Sequence, residues 1–108
     1  VNSPFCKLSV DLGNFCLRWH EGQCIDQQYD PYQGVALMMP YAKNVSAKTL
    51  GFDERGNDVR TDYARMLRII RDAGYQGYLG VEYAGDQLSA DRGIRMSLAL
   101  IRRAAVEL

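Results

Sequence analysis

Hydrophobic and polar residues follow three different rhythms along this chain, and each rhythm predicts an element. Phe5-Cys6-Lys7-Leu8-Ser9-Val10-Asp11 alternates apolar and polar, which predicts a strand over 5–11 after a Ser3-Pro4 opening that would break a helix. Asp30-Pro31 marks a helix start: the carboxylate can cap, and proline stands at the first helical position, where its missing N–H costs nothing. Val35, Leu37, Met38 and Met39 form the apolar side of that helix, 31–39, before Pro40 ends it. The two methionines read as core filler rather than as a ligand groove. Val45-Ser46-Ala47-Lys48 predicts a second strand, at 43–48. Leu50 to Arg60 is polar and turn-rich, a surface loop with solvated acids. Tyr63, Met66, Leu67, Ile70 and Ala73 recur at helical spacing, with Arg65, Arg68, Arg71 and Asp72 on the other faces, so a helix runs over 61–73 and Gly74 ends it. Gly77-Tyr78-Leu79-Gly80-Val81-Glu82-Tyr83 is an apolar run bounded by glycine and predicts a third strand, 77–83, buried on both faces. Ser89 caps a last helix over 90–107, with Ile94, Leu98, Ile101 and Ala105 as its stripe and Arg102 and Arg103 suiting its dipole. Cys16 to Gln28 has neither a helical nor a strand period and reads as a loop with room for a short helical turn, in which His20 is an exposed residue rather than a ligand.

Strand, loop and helix thus repeat three times, an α/β pattern that implies parallel strands joined by helical crossovers. Parallel strands all end on one side. Asp11, Lys48 and Glu82 therefore converge at the carboxyl edge of the sheet, where open α/β sheets and (β/α)8 barrels build their sites. Glu82 stands out among them, because a charge ending a buried strand costs on the order of several kcal/mol unless it is paired, solvated or bound to a metal. Either it points into water, or it pairs with a Lys or Arg, or it belongs to a site. Gly13 and the Gly77-x-x-Gly80 pair do not fit the spacing of a phosphate-binding fingerprint, which leaves a nucleotide reading weak.

Composition narrows the picture further. The 108 residues suit one small domain, 47% hydrophobic and 24% charged, and neither disordered nor fibrous. Acids and bases balance at 13 each, so no overall field draws nucleic acid or an anionic membrane. No run approaches the length of a membrane span, and no export signal is visible; a cytoplasmic location is expected. Cys6, Cys16 and Cys24 are odd in number and lack a CxxC pair, which predicts reduced, mostly buried thiols. The chain opens at Val1, already close to a strand, and reads as cut from something longer.

Asp11-Leu12-Gly13-Asn14-Phe15, then Pro40-Tyr41-Ala42-Lys43-Asn44-Val45-Ser46-Ala47-Lys48, then Gly74-Tyr75-Gln76-Gly77-Tyr78-Leu79-Gly80-Val81-Glu82-Tyr83 together resemble the last three βα units of sugar phosphate isomerase/epimerase-like proteins, the xylose-isomerase-like TIM barrels. The resemblance covers essentially the whole chain. It implies the C-terminal portion, strands six to eight, of a (β/α)8 barrel of about 250 residues. It also implies a divalent metal (Mn, Mg, Co or Zn) held in part by Asp11 and Glu82, with Glu82 doubling as the catalytic base. Asn14 stands where many members have a substrate-binding His, and Lys48 where a metal-binding His is usual. A remaining metal Glu would come from a strand outside this sequence.

A protonated lysine cannot ligate, so two readings of Lys48 stand side by side. In one, the metal is kept on fewer protein ligands with water filling in. In the other, Lys48 replaces the metal's charge and stabilises an enolate or alkoxide directly while Glu82 moves the proton. The resemblance implies a sugar or sugar phosphate as the small-molecule partner, isomerised or epimerised by proton abstraction next to a carbonyl, and a homo-oligomer is compatible with it. The rival expectation is a non-catalytic carbohydrate-binding or degenerate barrel piece. Cut from its barrel, this chain is expected to be inactive and to expose the inner residues of its strands as an apolar patch.

Overall fold

The computed structural model describes residues 3–21, 23–26 and 29–108. In chain order, β1 (Leu8–Asp11) leads through a small hairpin, β2 (Trp19–His20) and β3 (Gln23–Cys24), to α1 (Pro31–Met38), and a single 3-10 turn then feeds β4 (Ala42–Thr49). Next come α2 (Tyr63–Asp72), β5 (Leu79–Tyr83) and α3 (Ala90–Val106). Each helix begins at a side chain that satisfies its free N–H groups. Asp30 accepts from the amides of Tyr32 and Gln33, Asp62 from Arg65, and Ser89 from Arg92. Gly74 follows α2 with φ +75°, the left-handed conformation that closes a helix.

Among the described residues, β1, β4 and β5 form a parallel sheet with β4 in the centre. Side chains alternate across it, so residues two apart share a face. Val10, Val45, Ala47 and Thr49 lie on one face and are buried under α1, α2 and α3. Val35 and Met39 come from the first helical segment, Met66, Leu67 and Ile70 from α2, and Leu100, Ile101 and Ala104 from α3. The opposite face carries Ser9 and Asp11, then Asn44, Ser46 and Lys48, then Gly80 and Glu82. That face is polar. The expected apolar patch inside the strands is therefore corrected, and so is the reading of 77–83 as buried on both sides: Glu82 needs no desolvated core because its face was never apolar.

The predicted strands are trimmed or extended for local reasons. Phe5 lies outside β1 and is 97% exposed, because Ser3 folds the chain back there by accepting the amide of Phe5 at its hydroxyl and that of Cys6 at its carbonyl. β4 begins at Ala42, one residue before the expected 43, and the register with β1 is irregular between Leu8 and Ser9. β5 starts at Leu79 rather than Gly77, because the Tyr75 hydroxyl donates to the Tyr78 carbonyl and holds that stretch as a loop. In α3 the buried stripe is Gly93, Ser97, Leu100, Ile101 and Ala104, rotated from the predicted Ile94, Leu98, Ile101 and Ala105. Leu37 and Ala73 are likewise exposed. Close packing chose small residues over apolar ones: a β-carbon at Gly93 would run into the Tyr83 ring.

Two further expectations are overturned. Asp58 is not a solvated loop acid. It is 9% exposed and accepts from the amides of Leu50, Arg60 and Thr61, so it ties the loop after β4 to the start of α2. Cys16 and Cys24 are not reduced thiols but a disulfide, brought to a Cα separation of 5.8 Å by the β2–β3 hairpin, and Cys6 is exposed rather than buried. Glu21 turns that hairpin with φ 48°. Val1, Gly22, Gln27 and Gln28, which belong to the expected chain start and loop, lie outside the described residues. Among those described, no helix is long and apolar enough to cross a membrane.

One buried polar contact joins sheet to helix. Ser97 donates its single hydroxyl proton to the Gly93 carbonyl at 2.8 Å, so the 2.6 Å contact between the Thr49 and Ser97 hydroxyls has Thr49 as donor. Ser97→Ala strands a buried Thr49 O–H and is expected to cost about 1–3 kcal/mol in denaturant melts. Thr49→Val removes the donor itself, keeps the shape and should cost less; an equal loss in the two variants would contradict this assignment of the donor.

Candidate active site

The polar face gathers its charges at the carboxyl ends of the strands. Asp11 ends β1, Lys48 is the penultimate residue of β4, and Glu82 pairs directly across from it on β5. Asp11 pairs with Ser46, so Lys48 lies two residues further along the same face and reaches back over it. The Lys48 Nζ stands 3.1 Å from Glu82 Oε1 and 3.4 Å from Asp11 Oδ2, and donates to Asn14 Oδ1 at 2.9 Å. The four residues singled out from sequence thus form one cluster. His20, on the separate two-stranded hairpin, has no part in it.

Each carboxylate is oriented through its second oxygen. Asp11 Oδ1 accepts the amide of Gly13 at 2.8 Å, a tight turn that leaves Oδ2 for the ammonium. Glu82 Oε2 accepts the hydroxyl of Ser46 at 2.7 Å. Ser46 was missed by sequence reasoning, yet its signal was present: it stands two residues before Lys48, hence on the same face, and small enough to leave Glu82 room. Tyr63 adds a support from beneath, donating its buried hydroxyl to the Lys48 carbonyl at 2.7 Å. Burial pushes that phenol well above its ordinary range, so it stays a donor.

Electrostatics follow from this wiring. Burial alone would lower the Lys48 ammonium, but its hydrogen bond with Glu82 and the charges of Asp11 and Glu82 outweigh burial and hold it above its ordinary 10.5. Glu82 is held below its ordinary 4.5, chiefly by the Ser46 hydrogen bond, against the opposing effect of burial and with help from Lys48. The Lys48 side chain is only 14% exposed, whereas that of Glu82 is 45% exposed. The cation is sheltered and the carboxylate is reachable. Concavities of about 500 Å³ beside Tyr32, Asp58 and Arg103 and of about 530 Å³ beside Phe52, Tyr83 and Arg92 lie away from the cluster, which sits on the open face of the sheet.

The residues present do not fit the divalent metal that the resemblance implies. Asp11 Oδ2 and Glu82 Oε1 both face the Lys48 Nζ, so the point a shared ion would take between them is held by a group with three donors and no lone pair. Among the described residues, no third His, Cys, Asp or Glu joins them.

No protein family model matches the chain. It is similar to the 3'-dehydrocarminate deglycosidase alpha subunit of a Microbacterium species, 38% identical over 50 residues that make up 46% of this chain and 14% of that protein. It is also similar to the C-glycoside deglycosidase alpha subunit of Arthrobacter globiformis, 35% identical over 77 residues, or 65% of this chain and 22% of that protein. The chain spans less than a quarter of the length of these curated relatives, and what it shares with them is a part of a protein whose name refers to sugar chemistry.

Proposed function

We propose that this chain is the C-terminal part of a (β/α)8 barrel enzyme that removes a proton next to a carbonyl of a sugar or sugar derivative, as sugar isomerases and epimerases do. The observation that carries the reading is the pairing of a reachable carboxylate, Glu82, with a sheltered cation 3.1 Å away. Three consecutive parallel strands with helices on one side and the charged residues gathered at their carboxyl ends also support it, because barrels of this kind build their sites at that end.

In this reading Glu82 takes the proton from the carbon beside the carbonyl, and the C–H electron pair moves toward the carbonyl oxygen. Lys48 stabilises the negative charge that develops there, as a fixed donor costs no reorganisation when the charge appears. Asp11 keeps Lys48 in place, and Asn14 offers its amide N–H to a sugar hydroxyl. Returning the proton to the former carbonyl carbon, while the hydroxyl proton of the carbon that lost it passes to the former carbonyl oxygen, isomerises the sugar. Protonation of the same carbon from the opposite face, by an acid outside this chain, epimerises it. The similarity to deglycosidase subunits favours a second fate for the same intermediate, in which the electron pair expels a group across the new double bond instead.

Proton exchange in heavy water tests the step common to these fates. The full-length protein is incubated with aldoses, ketoses, their phosphates and a 3-keto C-glycoside, and deuterium beside the carbonyl is followed by NMR. Incorporation is expected in one of these classes, and Glu82→Gln should lower its rate by about 10²–10⁴-fold, the ordinary contribution of a positioned general base. Rearranged sugar identifies an isomerase or epimerase, and a released aglycone identifies the elimination. Sugar binding without exchange in any class would replace the catalytic reading with a carbohydrate-binding one.

The pH profile carries a second expectation. Glu82 must be ionised to accept a proton, and its pKa lies below 4.5, so the base form survives until the pH falls beneath that value. Lys48 must be protonated, and its pKa lies above 10.5, so the cation survives until the pH rises beyond that value. Initial exchange rates should therefore be level between these limits. Ser46→Ala removes the largest contribution to the Glu82 shift and should move the acid limb upward; an unmoved limb would show that another group titrates there.

A further inference from the structure

We propose that the Lys48 ammonium is the resident cation of this site, taking the position and the charge role of a divalent metal, so that Asp11 and Glu82 work around a fixed organic charge. This rests on the proposed reading of the cluster as a site of proton abstraction, and it adds what supplies the positive charge there.

The geometry points this way from three sides. Three oxygens surround the ammonium: it donates to Asn14 Oδ1 at 2.9 Å and stands in ion-pair contact with Glu82 Oε1 at 3.1 Å and Asp11 Oδ2 at 3.4 Å. That is a ligand set built around a cation, with one neutral and two anionic oxygens. The oxygens cannot easily swing toward another ion, because the Gly13 amide and the Ser46 hydroxyl hold the far side of each carboxylate. The lysine stem is also held. A β-carbon at Gly13 would lie 3.1 Å from Lys48 Cδ and 3.3 Å from Cγ, so the absence of a side chain at 13 is what lets the stem run over the turn to the carboxylates. Tyr63 fixes the backbone of the same residue from the helical side.

Charge balance agrees with the packing. Two carboxylates and one ammonium leave a single net negative charge, so one carboxylate stays available as a base beside the cation. A divalent ion placed beside the ammonium would bring two like-charged species against the same two carboxylates, and each would weaken the hold of the other. A lysine also differs from a metal in what it can do: it donates hydrogen bonds to a developing oxyanion and has no vacant position for a water or a second substrate oxygen.

The test is a titration of the metal-stripped full-length protein with Mn2+, read by electron paramagnetic resonance and calorimetry and independent of any sugar. The wild type is expected to show no Mn2+ binding that depends on Asp11, while Lys48→His should acquire a binding isotherm that Lys48→His with Asp11→Asn loses again. Proton exchange by the wild type should be unchanged after chelator treatment. One equivalent of Mn2+ bound by the wild type and lost in Asp11→Asn would overturn the inference, and it would do so even if proton exchange by Glu82 proceeds as proposed. Conversely, failure to exchange protons with any sugar removes the functional reading, and the Mn2+ titration still decides the identity of the cation.

Discussion

The molecule depends on the double pairing of β4. Because this strand is hydrogen-bonded to β1 on one edge and β5 on the other, its alternation dictates what each neighbour must present on each face. Val45, Ala47 and Thr49 point into the helical layer and are wholly buried, while Asn44, Ser46 and Lys48 point the other way. The strand is therefore both the centre of the core and the backbone of the site. The three helices serve the same end from behind: α2 contributes the heart of the core and, through Tyr63, the group that supports Lys48.

Around Lys48 the balance of forces is set by sheltering rather than by number. An exposed ion pair contributes little, because water and salt screen it and two long side chains must be ordered. Here the ammonium is mostly withdrawn from water and the Asp11 side chain is 19% exposed, so the interactions on that side act in a less polar medium than those at the more open Glu82. Asp11 reads as an anchor and Glu82 as the group available to a partner. The functional reading exploits this asymmetry between two carboxylates that sequence alone presents as equals.

Much of the fold could be read from sequence because local chemistry decided it. Asp30, Asp62 and Ser89 cap helices whatever surrounds them, Gly74 takes the one backbone conformation that suits it, and three strands ending in charge imply a shared edge. What could not be read depended on contacts between distant residues. The face of α3 was misassigned because Gly93 and Ser97 are buried for their small size and their contacts with Tyr83 and Thr49, which no hydrophobic pattern expresses. The burial of Asp58 depends on three amides that only the folded loop brings together. The pairing of Cys16 with Cys24 depends on a hairpin of two-residue strands, too short to leave a periodic trace. In the candidate site the charged residues announced themselves, whereas Ser46 was hidden by being small and ordinary.

The two-residue alternation of β4 has a consequence for how this protein can change over generations. Loss or gain of a single residue between Asn44 and Lys48 would rotate every following side chain to the other side, sending the lysine toward Met66 and Leu67 and turning Val45 or Ala47 out to the open face. Point substitutions can alter the core and the chemistry separately, but a length change in this strand damages both at once. Drift in length is therefore confined to the connecting loops, and β4 should be the stretch in which related chains align without gaps.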